Sequence, residues 1–276
     1  MIQNATCRVV LATLAVSAVA CGKVTPADPD AADGSTEPAD AAPDGPAAMC
    51  TWSAPLQVLR APDNQFQESA PAVTADKLHM YFTSQNERPA SFEATRASAA
   101  GNWSPQGAIL SGGPYAVQDV SADGAEIILV DLQASRLVSA VRDASTGRFA
   151  TPTPVGLPLA SVSISPDRLT LYIAGDGQVQ QATRSSTAGA WTTPTTVLTW
   201  SDLMYSFVDV SADGQTLLLS GDSGAAMSHW SGTAWSAPAP LRGFNAQAAN
   251  GELVADDLIY FDVSNDLYYS QCAPAP

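Results

Sequence analysis

Carboxylate side chains are the residues of this sequence whose spacing could support chemistry. Asp119 opens the hexapeptide Asp-Val-Ser-Ala-Asp-Gly, and Asp209 opens an identical second copy. Together with Glu68, these aspartates could face a central channel, where two carboxyl groups can act on a glycosidic bond as acid and as base or nucleophile. Because both aspartates belong to a duplicated segment, a structural role is the favoured interpretation.

Other catalytic or metal-binding patterns are not apparent in the sequence. His79 and His229 fall in different repeats, so we expect no zinc site. No Ser/His/Asp set, phosphate-binding loop or Cys-x-x-Cys pair is evident, and we expect neither a metal nor a cofactor. The formal net charge of −15 should repel nucleic acid, so a nucleic-acid partner is not expected.

The first 20 residues have the features of a secretory signal. Arg8 precedes the apolar run Val9–Ala20, which is too short to span a bilayer. The run ends at Ala18-Val-Ala-Cys21-Gly22, which resembles a bacterial lipobox. The resemblance implies that Cys21 receives lipid and becomes the mature N-terminus. Since Gly22 is not the aspartate of inner-membrane retention, we expect the outer membrane. A cleaved signal with a free cysteine is the alternative.

The segment after Cys21 is composed of Ala, Pro and Asp, with six acidic residues and no aromatic one over residues 22–49. Such a segment cannot bury enough apolar surface to offset its ordering entropy, so we expect a disordered tether. The predicted organisation is a signal peptide at 1–20, a lipidated cysteine and acidic linker at 21–49, and a folded domain at 50–276.

The hexapeptide belongs to a repeat with a period near 45 residues. Looser copies of its Ser-x-Asp core occur between and around the two identical ones. The equivalent aspartates are Asp76, Asp123, Asp167, Asp213 and Asp256. A constant period of this length indicates one supersecondary unit stacked repeatedly. Ser and Asp bond nearby backbone and Gly tolerates positive φ, so the motif itself predicts a turn.

Each repeat is predicted to contain four strands. The turn joins an inner strand to an apolar second strand, such as Ile127–Val130, which is buried on both faces. A third strand ends in an arginine in three repeats. A fourth opens on an aromatic residue followed by proline, and proline predicts an outer edge because it cannot donate to a neighbour. The aromatic residues are Trp52, Trp103, Phe149, Trp191 and Trp235.

Five repeats of four strands predict an all-β, five-bladed β-propeller with four-stranded blades. The aromatic-proline strand at Trp52 precedes any inner strand, whereas none follows Tyr269. The ring should therefore close by pairing the N-terminal strand with the C-terminal blade. Cys50 and Cys272 flank this seam, and in an oxidising compartment they should form a disulfide.

The repeat also resembles a known family. Ser-x-Asp-Gly, an aliphatic or Tyr-Phe strand, a Thr-Arg strand and Gly-x-Trp-x-x-Pro together resemble the TolB-type, WD-like propeller repeat of bacterial envelope proteins. The resemblance covers about residues 50–272. It implies a binding or scaffold module and leaves the ligand open.

Departures from the repeat are the candidate ligand contacts. The connections from one blade's outer strand to the next blade's inner strand open on one face. Aromatic rings beside carboxylates and amides there would suit a sugar or a peptide. The candidates are Tyr115, Trp200, Asp202, Tyr205, Phe244 and Asn245. The alternative is that these aromatic residues pack between blades.

The sequence thus predicts a lipid-anchored, extracytoplasmic propeller of the bacterial cell envelope that binds a protein or a glycan. Its only expected membrane contact is the N-terminal lipid. The alternative is a five-bladed glycoside hydrolase that uses channel carboxylates, and the sequence leaves enzymatic activity open.

Overall fold

The computed structural model describes residues 51–59, 68–84, 89–110, 113–200, 205–221, 224–241, 244, 249–255, 257–263 and 266–273. These residues form 21 strands and contain no helix, so none of the described ranges holds a helix that could cross a membrane. The predicted fold class is confirmed. The strands form five antiparallel blades of a β-propeller.

The blades follow one another along the chain, and each runs from an inner strand to an outer one. Blade one contains β3 (Glu68–Val73), β4 (His79–Ser84), β5 (Ala90–Thr95) and β6 (Ser104–Ala108). Blade two contains β7 (Tyr115–Val120), β8 (Glu126–Asp131), β9 (Arg136–Val141) and β10 (Thr153–Pro154). Blade three contains β11 (Ser161–Ile164), β12 (Thr170–Gly175), β13 (Gln178–Thr183) and β14 (Thr195–Thr199). Blade four contains β15 (Phe207–Val210), β16 (Thr216–Gly221), β17 (Gly224–His229) and β18 (Ala239–Pro240). Blade five contains β19 (Ala249–Ala255), β20 (Leu258–Val263) and β21 (Asp266–Ala273), and it is completed by β1 (Thr51–Trp52) and β2 (Leu56–Gln57).

Blade five closes the ring in the predicted way. Trp52 of β1 pairs with Cys272 of β21, and Leu56 of β2 pairs with Tyr269 of the same strand. The first and last parts of the domain therefore share one sheet, and the sheet edge of β21 is covered. Cys50 lies outside the described residues, so the disulfide between Cys50 and Cys272 stays a prediction.

The repeated motif is a turn, as predicted. In blade two Ser121 Oγ donates to Asp123 Oδ1 over 2.7 Å, and the same carboxylate oxygen accepts the amide of Ala125. Gly124 follows with φ of 68°. Lys77 and Arg168 occupy this position in blades one and three with φ of 61° and 62°. The turn thus requires a left-handed backbone conformation at this position even where the residue is not glycine.

In blades two and four the fourth strand begins later than predicted and has only two paired residues. In blade two the paired stretch is only Thr153–Pro154, although its aromatic residue is Phe149. Blade four is similar, with Ala239–Pro240 following Trp235. Alternating prolines explain the difference, because each one removes an amide donor from the ladder.

Successive blades pack through these aromatic residues. Each one lies against the third residue of the second strand in the preceding blade. The ring centroids are 5.7 Å apart for Phe149 and Tyr81, and also for Trp235 and Tyr172. The hydrophobic clusters likewise combine side chains of neighbouring blades. The core is therefore spread around the ring, one layer per blade boundary.

Arginines at the end of the third strand reinforce this packing. Arg184 lies over the ring of Trp191 at 4.3 Å and reaches back to blade two. Its Nη1 and Nη2 lie 3.2 Å and 2.5 Å from the two carboxylate oxygens of Glu126. Both side chains are buried, with 4% and 1% of their surface exposed. This ion pair joins blades two and three in a site that water does not reach.

We predict that Glu126→Gln destabilises the fold strongly. The change leaves the Arg184 guanidinium buried without a counter-charge, which typically costs about 3–5 kcal/mol. Chemical denaturation measures the loss. Asp131→Asn is the matched control, because it removes the looser Arg136 pair at 3.6 Å and should cost less than about 1 kcal/mol. Equal losses in the two variants would contradict the role assigned to the buried pair.

Candidate functional site

The five inner strands contact one another in a ring, and one position on them points to the axis. This position lies two residues before the Ser or Thr of each turn where that residue is present. Its occupants are Ala72, Asp119, Ser163, Asp209 and Glu252. All of them are buried, so the described part of the axis is filled by side chains.

Four of these side chains bind an amide of the next blade. Asp119 accepts a hydrogen bond from the amide of Ile164 over 2.6 Å, and Ser163 accepts one from the amide of Val210 over 2.9 Å. Asp209 accepts one from the amide of Leu253 over 2.6 Å, and Glu252 accepts one from the amide of Val73 over 3.1 Å. Blade one has Ala72 at this position and offers no such acceptor. The amide of Val120 in blade two instead donates to Asp119 of its own strand, over 2.6 Å. The polar axis therefore satisfies buried amides around the ring.

Asp119, Asp209 and Glu252 form a buried carboxyl cluster, with one oxygen of each lying within 4.8 Å of the others. Ser163 Oγ lies 2.8 Å from Asp119 and 2.9 Å from Asp209. A hydroxyl has one proton, so Ser163 can donate to only one of these carboxyl groups. The other must donate to Ser163, and the geometry therefore indicates a protonated carboxyl group at the axis.

The electrostatics agree with this proton. Burial raises the pKa of Asp209 to about 7. Burial and then the charge of Asp209 raise the pKa of Asp119 and of Glu252 above their usual ranges. Glu68, at the start of β3, has its pKa raised to about 7 by burial and next by the charge of Asp266. Three carboxyl groups could also hold a hard cation such as Ca²⁺, so the expectation of no metal stays a prediction.

The space beside the carboxyl cluster is small. A volume of about 20 Å³ is lined by Asp119 and Glu252 together with mostly apolar residues of the inner strands and turns. One water molecule fits into such a volume. A sugar ring does not, so these carboxylates are placed to bind amides and protons.

A much larger groove of about 780 Å³ lies between blades one and two. One wall is formed by residues 106–110, which include the end of β6, and the other by residues 147–152 of blade two. Glu93, Tyr115 and Arg142 complete the lining. Sites for small molecules or peptide segments commonly have this volume and this mixture of apolar and polar walls.

The floor of the groove is a polar network. Glu93 Oε1 lies 2.8 Å from His79 Nδ1 and 3.4 Å from Arg142 Nη2, and the Tyr81 hydroxyl donates to it over 3.1 Å. Arg142 also donates to the Tyr81 hydroxyl. In this network Arg142 reaches towards blade one, as Arg184 reaches towards blade two.

Arg142 nevertheless departs from the pattern of its repeat. Arg96 and Arg184 donate from Nε to the carbonyl of a turn residue, over 2.5 Å and 2.8 Å. Arg142 Nε is buried without a hydrogen-bond partner. The second blade is thus the one in which the arginine is tied least to its own turn, and the groove lies there.

The described members of the predicted contact set lie at three blade boundaries. Tyr115 begins β7 and lines the groove. Trp200 and Tyr205 contact each other edge to face at 5.6 Å and belong to the cluster between blades three and four. Phe244 is buried against Trp52. Asp202 and Asn245 lie outside the described residues, and a ligand role for the set stays a prediction.

Sequence reasoning identified Asp119 and Asp209 but missed two of their partners. Glu252 and Ser163 occupy the same repeat position, so aligning the residue two before each Ser-x-Asp or Val-Ala-Asp turn would have found them. Arg142 and Glu93 carry no such signal, because the groove they line depends on how two blades meet.

We predict that folding stability falls as pH rises from about 5 to about 8. A carboxyl group whose pKa is raised in the folded state contributes most below its unfolded pKa of about 4, and this contribution is lost as pH passes about 7. For each carboxyl group that is protonated in the folded state and ionised in the unfolded state, the free energy of unfolding falls by about 1.4 kcal/mol per pH unit. Asp209→Asn should make stability depend less steeply on pH. Part of the dependence should remain, because the pKa of Glu68 is also raised.

Thermal melts across this pH range test the expectation. Asp143→Asn is the matched control, because Asp143 is exposed and hydrogen bonds from Ser145 and Thr146 already lower its pKa to about 2. This control should keep the wild-type slope. A wild-type melting temperature that is constant from pH 5 to 8 would contradict the proton at the axis. A higher stability with Ca²⁺ than with a chelator at pH 8 would reveal a cation.

Comparison with known proteins concerns the fold. No protein-family model and no curated protein matches the chain. Among solved structures, it is similar to a putative TolB from Agrobacterium tumefaciens, with 18% identity and a TM-score of 0.44 over 74% of this chain and 71% of that one. The nidogen/laminin complex gives 16% and 0.47 over 74% of each chain. A gluconolactonase from Xanthomonas campestris gives 14% and 0.43 over 84% of this chain and 98% of that one. TolB proteins are thus among the structural neighbours, as the repeat resemblance implies.

Proposed function

We propose that this protein is an extracytoplasmic binding module, held at the bacterial cell envelope by lipid on Cys21, with a protein or glycan as its ligand. The observation that carries the proposal is the groove of about 780 Å³ between blades one and two. Among the described residues, the predicted contact residue Tyr115 lines this accessible groove beside the polar side chains of Glu93 and Arg142. The other predicted contacts, Trp200, Asp202, Tyr205, Phe244 and Asn245, lie at other blade boundaries or outside the described residues, and their role as ligand contacts stays a prediction.

The glycoside hydrolase alternative is less well supported. Its candidate carboxylates Asp119 and Asp209 are 2% and 4% exposed, and both accept amide hydrogen bonds. Glu68 is also buried. A retaining or inverting hydrolase needs two carboxyl groups on either side of a bound sugar. The space of about 20 Å³ beside Asp119 admits about one water molecule.

The cysteines support an envelope location. Strand pairing places Trp52 opposite Cys272, and Cys50 precedes Trp52 by two residues in the sequence. We propose that these cysteines form a disulfide, which persists in oxidising compartments. It would close a loop of more than 200 residues, and chain entropy gives at most about 5 kcal/mol of stabilisation for such a loop.

We predict that protein isolated from bacterial envelopes without reductant begins at an acylated Cys21 and has no free thiol. Multiple acyl chains hold a protein stably at a membrane. Intact mass and thiol titration read both states, and Cys21→Ser should release the protein from the membrane or block its processing. A soluble wild-type protein with an unmodified N-terminus, or with two free thiols, contradicts the respective cysteine assignment.

We predict that full-length protein in detergent retains an envelope protein or glycan and that Tyr115→Ala weakens this retention about tenfold or more, which corresponds to about 1.4 kcal/mol. Quantitative capture from envelope extract measures it. Leu159→Ala, at an exposed apolar site, should bind normally. Melting curves check folding. Capture unchanged in a folded Tyr115→Ala variant would place the site elsewhere. Reducing ends released by wild type and abolished by Glu68→Gln would establish the hydrolase.

A further inference from the structure

One wall of the groove ends in an open strand edge. Directly after β6, the amide of Ile109 donates to the carbonyl of Ser91 in β5. Ala108, its neighbour, pairs with Phe92 at the adjacent position of the same antiparallel ladder. Backbone groups of neighbouring residues point to opposite sides of such a strand, so the Ala108 amide and carbonyl point away from β5. No residue of the described ranges pairs with them, so this part of the edge can accept an added strand.

The rest of β6 restricts where a strand could add. Pro105 has no amide donor, and the register shifts between Glu93 and Ala94, which leaves Gln106 as an extra residue in the strand. Gln106 turns its side chain back to Thr95 and the carbonyl of Ser104. The stretch beyond this bulge, around Ala108, borders the groove.

Charge distinguishes this groove from the rest of an acidic chain. Arg142 and Arg148 line it against a single acidic residue, Glu93. The Glu93 carboxylate is already engaged by His79, Tyr81 and Arg142. Arg148 is exposed and forms no side-chain ion pair within the described residues. A carboxylate on a ligand would therefore meet a guanidinium on the blade-two wall that no described carboxylate pairs with.

The aromatic rings of the groove offer little stacking surface to a sugar. The face of Phe149 is covered by the Arg142 guanidinium at 4.7 Å. The Tyr115 ring lies against Gly113, so closely that a Cβ at Gly113 would be 2.5 Å from it. Because part of each ring is covered in this way, main-chain pairing and charge are the recognition elements that the groove offers most directly.

We propose that the groove binds an extended peptide segment carrying an acidic side chain. The peptide adds to the open edge of β6 at Ala108, and its carboxylate contacts Arg148. Main-chain bonds would supply affinity and the arginine would supply selectivity, as in other cases of strand addition. This inference rests on the proposed binding function and specifies the class of its ligand.

A randomised peptide array probed with the full-length protein tests the ligand class. Peptides containing Asp or Glu should be enriched over those containing Lys or Arg, and added salt should reduce the enrichment. The strongest peptide is then labelled for anisotropy titration. Substituting lysine for its acidic residue, or methylating its central amides, should weaken binding about tenfold, which corresponds to about 1.4 kcal/mol.

Two variants test the groove from the protein side. Ala108→Pro removes the outward amide and leaves the β5 pairing intact, so we expect about tenfold weaker binding. Thr199→Pro is its control on β14, where Trp200 donates inward to Gly177 and Thr199 points outward. Arg148→Glu should reverse the preference to the lysine peptide. Arg136→Glu, at an exposed arginine outside the groove, should bind as wild type.

The outcomes separate the two proposals. Absence of any enriched peptide, or equal binding of the methylated peptide, overturns the strand-addition inference. If Ala108→Pro fails to fold, the methylated peptide carries the same comparison. Displacement of a bound peptide by oligogalacturonate with no effect of Ala108→Pro would assign the groove to an acidic glycan. If the wild-type protein captures nothing from envelope extract, the proposed binding function itself is contradicted.

Discussion

The buried amides of the five inner strands impose the constraint on which the propeller depends. Each amide faces an axis too narrow for bulk water, so it needs an acceptor supplied by the protein. Side chains of the preceding blade supply four of them, which explains why Asp119, Asp209 and Glu252 converge although like charges repel. The proton held in this cluster offsets that repulsion. Carboxylates that first suggest catalysis are thus accounted for by ring closure.

The outer part of the ring has a different connection between blades. Aromatic residues and arginines there pack each blade on the one before, and the buried Arg184–Glu126 pair is the tightest example. Blade two follows the pattern incompletely, because Arg142 reaches Glu93 of the preceding blade but its Nε lacks the bond to its own turn that Arg96 and Arg184 make. The accessible groove lies at this same boundary. The arginine that is held least by its own turn thus lines the surface that is open to a ligand.

The sequence predicted the fold well because the fold repeats. The spacing of the five turn aspartates, from Asp76 to Asp256, indicated the period, and the position of Trp52 before any inner strand indicated the closing blade. Only the two aspartates of the axial cluster could be identified from the sequence, because Ser163 and Glu252 differ in type from the aspartates at the same repeat position. The groove could not be predicted at all. It depends on the orientation of the Arg142 side chain and on paired lengths that alternating prolines set.

The closing blade also determines how the domain would respond to force. A protein held by its N-terminus transmits a pull first to β1 and β2, and each of these strands pairs with β21 through only two residues. These two short strands have few hydrogen bonds to hold them on β21, whereas the inner strands lie further along the chain. A covalent link from Cys50 to Cys272 would divert that load into β21. The seam that completes the ring is therefore also the part of the domain on which tension at the N-terminus would act first.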